Sequence, residues 1–215
     1  MSVMGVWAVA AVDDAELSAL SAALADLLAE YRGTEAFARY VELMAWWEHG
    51  GDAEDFFESV PGRSWLRPTA AAERFATLID FANPGSQTYG DLAERFVELM
   101  PHGGEGTFAA TARKASPAAA LHYGLGAARS ALLPGRFGEF VLTHAEVADA
   151  LADVEQALAL TGQCRSQVLE RSRRWLAEFG DAPEVDVEEL LDGPLRVLRL
   201  AATTGQGTVG VVAWY

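Results

Sequence analysis

Two short apolar segments, one near each end of the chain, most restrict the folds that are open to it. Residues 3–12 (VMGVWAVAAV) and 208–215 (TVGVVAWY) are rich in valine and aromatic residues, with acidic or glycine-rich breaks beside them. Short, bounded apolar runs of this kind are typical of buried β-strands. Most of the sequence between them has helical patterning, so we expect both strands in one small sheet with helices packed on it.

Helix-start signals precede several segments between the two strands. Asp13 and Thr143 are each followed three residues later by a glutamate, which is the capping-box pattern. A serine–proline pair predicts a helix over residues 117–132. Residues 194–204 fit either a helix or a strand, and the spacing of their two arginines favours the helix. Residues 101–115 have no decisive pattern.

The bulk composition is that of a globular protein. Hydrophobic residues make up 51% of the 215-residue chain and charged residues 22%. No linker or repeat divides the sequence, so we predict a single α+β domain over residues 1–215 that is mostly helical. No apolar run reaches the roughly 18 residues that span a bilayer. Cys164 is the only cysteine, which rules out an internal disulfide and favours a reducing cytoplasm.

The net charge of −15 narrows the range of partners. Nucleic-acid backbones and anionic membrane surfaces attract basic proteins, so we expect neither of them as a partner. An acidic surface favours solubility and can also meet a basic protein.

Two His-Gly-Gly stretches suggest a metal site. His49 and His102 could converge, with Asp52 and Glu105 completing a set of His and carboxylate ligands. The alternative is that both histidines end helices, because glycine often follows a helix and histidine interacts well with its C-terminal dipole. The spacing that would specify a metal site is missing, and we favour helix ends and expect no cofactor.

An aromatic stretch is the best candidate for a ligand groove or a protein interface. Adjacent tryptophans on a helix point about 100° apart, so one can be buried while the other lies near an edge or a pocket. The alternative is that these rings only fill the core. The candidate residues are Trp46, Trp47, Phe56, Phe57 and Trp65.

A basic cluster stands out in this acidic chain. Arg171 and Arg174 fall on one face of a predicted helix and could bind a phosphate or a carboxylate. Surface ion pairs with neighbouring acids are the alternative. Cys164 at the start of the same helix could be a nucleophile, but no partner pattern for catalysis accompanies it.

Several motifs together resemble the YfbM-like family of bacterial proteins of unknown function. These are the opening strand Met4-Gly5-Val6-Trp7, the pair Leu121-His122, the extended segment and capped helix of residues 140–151, and the closing helix, glycine turn and strand of residues 194–215. The resemblance implies an α+β fold in which the terminal strands pair. It implies no activity.

Three functions remain open at this point. We favour a cytoplasmic binding or protein-interaction module without its own catalytic site, which could also self-associate, because every catalytic motif is missing or incomplete. The second is a metal-assisted hydrolase built on His49 and His102 with nearby carboxylates. The third is an acidic regulatory or immunity-type protein that blocks a basic partner.

Overall fold

A computed structural model of the chain describes residues 3–62, 66–101, 103–179 and 185–215. The α-helices in these residues are α1 Asp14–Tyr31, α2 Glu35–Glu48, α3 Ala70–Asp80, α4 Gln87–Leu99, α5 Pro117–Leu125, α6 Ala127–Ser130, α7 His144–Leu158, α8 Gly162–Phe179 and α9 Val187–Thr204. The strands are β1 Met4–Val12, β2 Phe57–Ser59, β3 Leu66–Pro68, β4 Thr107–Arg113, β5 Phe140–Leu142 and β6 Gly207–Trp214. The fold is α+β and mostly helical, as the sequence predicts.

The two terminal strands form the centre of a four-stranded antiparallel sheet. The strand order is β4-β1-β6-β5. Gly5 lies opposite Trp214 and Val12 lies opposite Gly207, so β1 and β6 pair along nearly their whole length. This confirms the predicted pairing of the chain's first and last strands. β2 and β3 form a separate two-stranded sheet.

Helices cover both faces of the four-stranded sheet, and they bury very different amounts of apolar surface. Side chains alternate along a strand, so Trp7, Val9 and Ala11 enter a large core that also includes buried residues of α5, α7, α8 and α9. Ala10 and Val12 face a smaller core, to which α1 and α4 contribute. The face covered by α4 is therefore the thinly packed side of the molecule.

Several local predictions can be compared with the structure. Residues 194–204 are helical, within α9, and residues 107–113 form a strand in a region that has no decisive pattern. The prediction of one continuous helix over residues 117–132 is wrong, because the helix is interrupted at Gly126, where φ is +75°. Asp13 does begin α1, but its side chain makes no cap hydrogen bond and accepts one from the side chain of Gln206 instead.

None of the helices in the described residues is both long enough and apolar enough to cross a bilayer.

Candidate functional site

A tight turn at residues 136–139 organises the most unusual group in the protein. The backbone N–H groups of Arg136 and Glu139 each donate to the carbonyl of the other, at 2.9 and 3.0 Å. Both central residues have positive φ, +47° at Phe137 and +96° at Gly138, as in a type I′ turn. This conformation is strained for a bulky residue such as Phe137, at a cost of order 1–3 kcal/mol.

Contacts with the large core hold this strained turn in place. The ring of Phe137 is buried and packs edge-on against Phe75 and His122, with centroids 5.9 and 4.9 Å apart. The indole N–H of Trp7 donates to the carbonyl of Gly138 at 3.0 Å. Burial of the Phe137 ring offsets the backbone strain, and the turn presents Glu139 to α4 in a fixed orientation.

The carboxyl group of Glu139 lies between α4 and the end of the sheet. It accepts a hydrogen bond from the Tyr89 hydroxyl of α4 and another from the backbone N–H of Val212 in β6. Pairing of β5 with β6 begins at Phe140 opposite Gly210. Val212 therefore lies beyond the paired segment, where its N–H can donate to a side chain instead of to a strand.

Burial raises the pKa of Glu139 to about 7, although the hydrogen bonds from Tyr89 and Val212 and the charge of Arg136 favour the ionised form. The residue keeps some accessible surface, but protein atoms enclose the carboxyl group, and desolvation acts on those charged atoms. Burial also raises the pKa of Tyr89, as does the neighbouring carboxylate. Tyr89 thus stays a hydrogen-bond donor, while Glu139 titrates near neutral pH.

Two cavities adjoin the Tyr89–Glu139 pair. One, of about 300 Å³, lies between α1, α4 and strands β5 and β6. The other, of about 440 Å³, lies between the end of α3, α4 and the end of β6. Tyr89, Ala93 and Glu139 line both. These volumes are in the range of small-molecule sites, which are mainly apolar with a few placed polar groups.

A fixed cation accompanies the carboxylate in the first cavity. Arg136 lines this cavity, and its guanidinium donates to the carbonyl of Ala82 at 3.1 Å. It also lies 5.4–5.9 Å from the ring centres of Tyr31, Phe37 and Tyr40. Cation–π contact and the hydrogen bond both keep this charge in position near Glu139.

Exposed apolar side chains line part of the second cavity, beside the exposed acids Asp80 and Glu94. Val97 and Trp214 line it and keep 38% and 49% of their surface accessible. Exposed apolar groups at a cavity rim are typical of binding surfaces. The arrangement can therefore receive an apolar molecule from solvent and offer it a buried polar anchor, Glu139.

The described residues of the predicted aromatic groove line neither of these two cavities, and their rings mostly fill the core. Trp47 and Phe56 are 1% and 2% exposed, so they cannot form a contact surface. Trp46 and Phe57 are partly exposed, and the indole N–H of Trp46 donates to Glu54 at 2.8 Å. Trp65 lies outside the described residues. The tryptophan pair divides into one buried and one partly exposed ring, as its spacing predicts, but the buried one belongs to the core.

The predicted metal ligands have other roles where the structure describes them. His49 ends α2, as the helix-end interpretation predicts, and its Nδ1 donates to the carbonyl of Ala45 at 2.7 Å. The Asp52 carboxylate accepts from the N–H of Ala127 at 2.9 Å. Glu105 is exposed, and His102 lies outside the described residues. Across those residues, no three His, Cys, Asp or Glu side chains are grouped in a way that could hold a metal ion.

The predicted anion-binding pair is brought together by the structure. Arg171 and Arg174 line one surface groove, which Arg129 and Cys164 share. This groove is separate from the cavities beside Glu139.

Sequence patterns did not single out Tyr89, Arg136 or Glu139. A signal does exist, because Glu139 is the only charged residue in FGEFVL, residues 137–142. An isolated acid in an apolar segment must either be exposed or be buried with partners.

Comparisons of the chain with protein-family models, with curated proteins and with solved structures find no match. The resemblance to the YfbM-like family stays a prediction from motifs, and function is inferred from the residues and cavities alone.

Proposed function

We propose that this protein is a non-catalytic binding protein that holds a small, largely apolar molecule beneath α4, with Glu139 as the polar anchor. The observation that supports this most is an enclosed, titratable carboxyl group between two cavities, one of which is lined in part by exposed apolar side chains. The single cysteine, Cys164, favours a cytoplasmic location for this activity.

The chemistry of the anchor restricts the ligand. An ionised Glu139 accepts hydrogen bonds, and a protonated one also donates. With a pKa of about 7, Glu139 can adopt the form that a ligand requires near neutral pH at little cost in free energy. A bound amine or hydroxyl would satisfy the carboxylate, while the apolar part of the molecule would lie against α1 and α4.

Binding is favoured over catalysis because the site lacks a complete catalytic set. Tyr89 is held as a donor to Glu139. Ser86, which lines the second cavity, accepts from the N–H of Tyr89 as the cap of α4. Among the described residues that line these cavities, no serine, threonine or cysteine is hydrogen-bonded to a general base in the arrangement that covalent catalysis requires.

A titration with the neutral fluorescent dye Nile red tests the proposal. Ala93 lines both cavities, so Ala93→Phe narrows them, whereas Ala38→Phe adds the same ring at an exposed position of α2. We expect the wild-type protein and Ala38→Phe to bind the dye with the same affinity and Ala93→Phe to lose binding. Equal binding by all three, or none by the wild-type protein, would refute the site.

A protein partner is the second candidate, because exposed apolar side chains continue beyond the lining of the second cavity. Met4 and Trp214, on the paired strands β1 and β6, are 40% and 49% exposed. Such a patch fits the edge of a contact with a partner or a second copy of the chain. Sedimentation velocity of the wild-type protein and Trp214→Ser over a concentration range tests self-association, and a concentration-independent monomer in both excludes it.

A further inference from the structure

Three arginine side chains line one surface groove on a protein whose net charge is −15. The groove has a volume of about 370 Å³ and lies between α8 and the end of α5 and α6. Arg171 and Arg174 come from α8, where their spacing of three places them on one face, and Arg129 comes from α6.

The arginines of this protein differ in their pairing. Five that lie outside the groove form ion pairs with the abundant acids: Arg39, Arg67, Arg165, Arg196 and Arg199. Across the described part of the chain, neither Arg129 nor Arg174 has an ion-pair partner. Their donors are therefore free to bind a ligand.

One residue fixes both walls of the groove. The carboxylate of Asp52 accepts from the N–H of Ala127 and so holds the start of α6, which carries Arg129. The backbone carbonyl of Asp52 accepts from the Arg171 guanidinium at 3.2 Å. Arg171 also stacks over the ring of Tyr123, at 4.7 Å from its centre. The guanidinium of Arg171 and the helix that carries Arg129 are therefore held in position before any ligand arrives, which limits the entropy lost on binding.

The charge of the groove indicates what it would bind. Glu170 also lines it, so three guanidinium charges and one carboxylate leave two positive charges. Guanidinium forks match the geometry of phosphate oxygens, and the hydrogen bonds between them are charge-assisted. We propose that this groove binds a small phosphate monoester as its dianion, with the phosphate between Arg129, Arg171 and Arg174. This site shares no residue with the cavities beside Glu139 and does not depend on the function proposed for them.

Calorimetric titration at low salt with phenyl phosphate tests the proposal, with phenol as the uncharged control ligand. Arg129→Gln and Arg174→Gln each remove one groove charge. Arg173→Gln removes one charge from an exposed position of the same helix that does not line the groove. We expect each groove variant to weaken phenyl phosphate binding about ten-fold or more, and Arg173→Gln to change it less than about two-fold. No binding by the wild-type protein, or equal losses in all three variants, would overturn the proposal.

Cys164 provides a second measurement that does not require the groove variants to bind anything. It is the only cysteine in the chain and lines the groove. Its labelling rate with the dianionic disulfide 5,5′-dithiobis(2-nitrobenzoate), divided by the rate with neutral 4,4′-dithiodipyridine, reports the local potential. We expect this ratio to fall in Arg129→Gln and Arg174→Gln, to hold in Arg173→Gln, and to drop when phenyl phosphate is added to the wild-type protein. A ratio that neither the groove variants nor the ligand changes would contradict the proposal.

Discussion

Replacing Glu139 with glutamine gives the sharpest test of the buried carboxyl group. Glutamine has nearly the same shape, and its amide oxygen can accept the hydrogen bond from Tyr89, but it carries no charge at any pH. The wild-type residue is different, because burial raises the pKa of Glu139 in the folded protein to about 7 from an ordinary value of 4.5. The two proteins should therefore differ in how their stability depends on pH.

The direction follows from proton binding in the two states. Between pH 4.5 and 7 the folded protein keeps a proton on Glu139 that the unfolded chain has released, so raising the pH favours unfolding. The loss begins near the unfolded pKa and levels off above the folded one. With one pKa unit worth about 1.4 kcal/mol, the wild-type protein should lose about 2.5 kcal/mol between pH 5 and pH 8 through this group. Glu139→Gln should not show that loss.

Urea unfolding followed by circular dichroism at pH 5, 6, 7 and 8 measures the effect. Other titrating groups are common to both proteins, so they cancel in the difference between the two free energies of unfolding. That difference should move in favour of the variant by about 2.5 kcal/mol across the range. Glu98→Gln, at an exposed position of α4 that lines neither cavity, is the matched control. A pH-independent difference for Glu139→Gln would refute the reasoning, because it would mean that the carboxyl is solvated in the folded protein.

Substitutions at three further positions test the contacts around the two sites. Gly138→Ala should destabilise the protein by about 2–4 kcal/mol in urea unfolding, because φ is +96° and a Cβ would lie 2.7 Å from that of Ala118; an unchanged midpoint would show that the turn adapts. Asp52→Ala should lower the free energy of unfolding by about 1 kcal/mol, because it leaves the N–H of Ala127 unpaired. Asp52→Asn should lower it much less, because the amide oxygen can still accept from that N–H, and equal losses in the two variants would count against the cap. Burial lowers the pKa of His122 to about 3, so the unfolded chain binds the extra proton and stability should fall by about 2 kcal/mol from pH 7 to pH 5. The same measurement on His122→Phe should show none of this decline, and a parallel decline in both proteins would be inconsistent with a buried neutral imidazole.

Features that depend on local chemistry could be predicted from the sequence. The capped start of α7 is one. The Thr143 side chain accepts from the backbone N–H of Glu146, and the Glu146 side chain accepts from the backbone N–H of Thr143. The end of α2 at His49 is another, because Gly50 takes the left-handed conformation there. The placement of the first and last strands in one sheet also follows, because each is too apolar to be left uncovered.

The exposure of the rings in the aromatic stretch depends on the whole fold and not on local sequence. Trp47 and Phe56 are near each other in sequence, but their partners are not. Both contact Phe75, and Phe56 also meets Tyr123 and Trp175. Helical spacing shows that one tryptophan of the pair can be buried, but it does not show which surface covers it.

The candidate site depends on the whole fold even more than the aromatic stretch does. Tyr89 and Glu139 are 50 residues apart in sequence, and neither belongs to a motif with known spacing. Their pairing depends on where α4 lies across the sheet and on a turn whose positive φ falls on a phenylalanine, a residue that rarely adopts it.

The unequal packing of the two sheet faces explains why the site lies under α4. Nine residues of α9 are buried, whereas α4 buries only Leu92 and Phe96. Apolar burial is the main stabilising contribution, so the large core on the α9 side can offset the strain of the turn at Phe137 and the burial of the Glu139 carboxyl. The α4 side buries less apolar surface, so it leaves cavities and opens at a lower cost in free energy. Phe137 and Glu139 connect the two sides, because the first is fixed in the large core and the second reaches the cavities. The dense face therefore sets the position of the anchor, and the thin face provides the space that a ligand would fill.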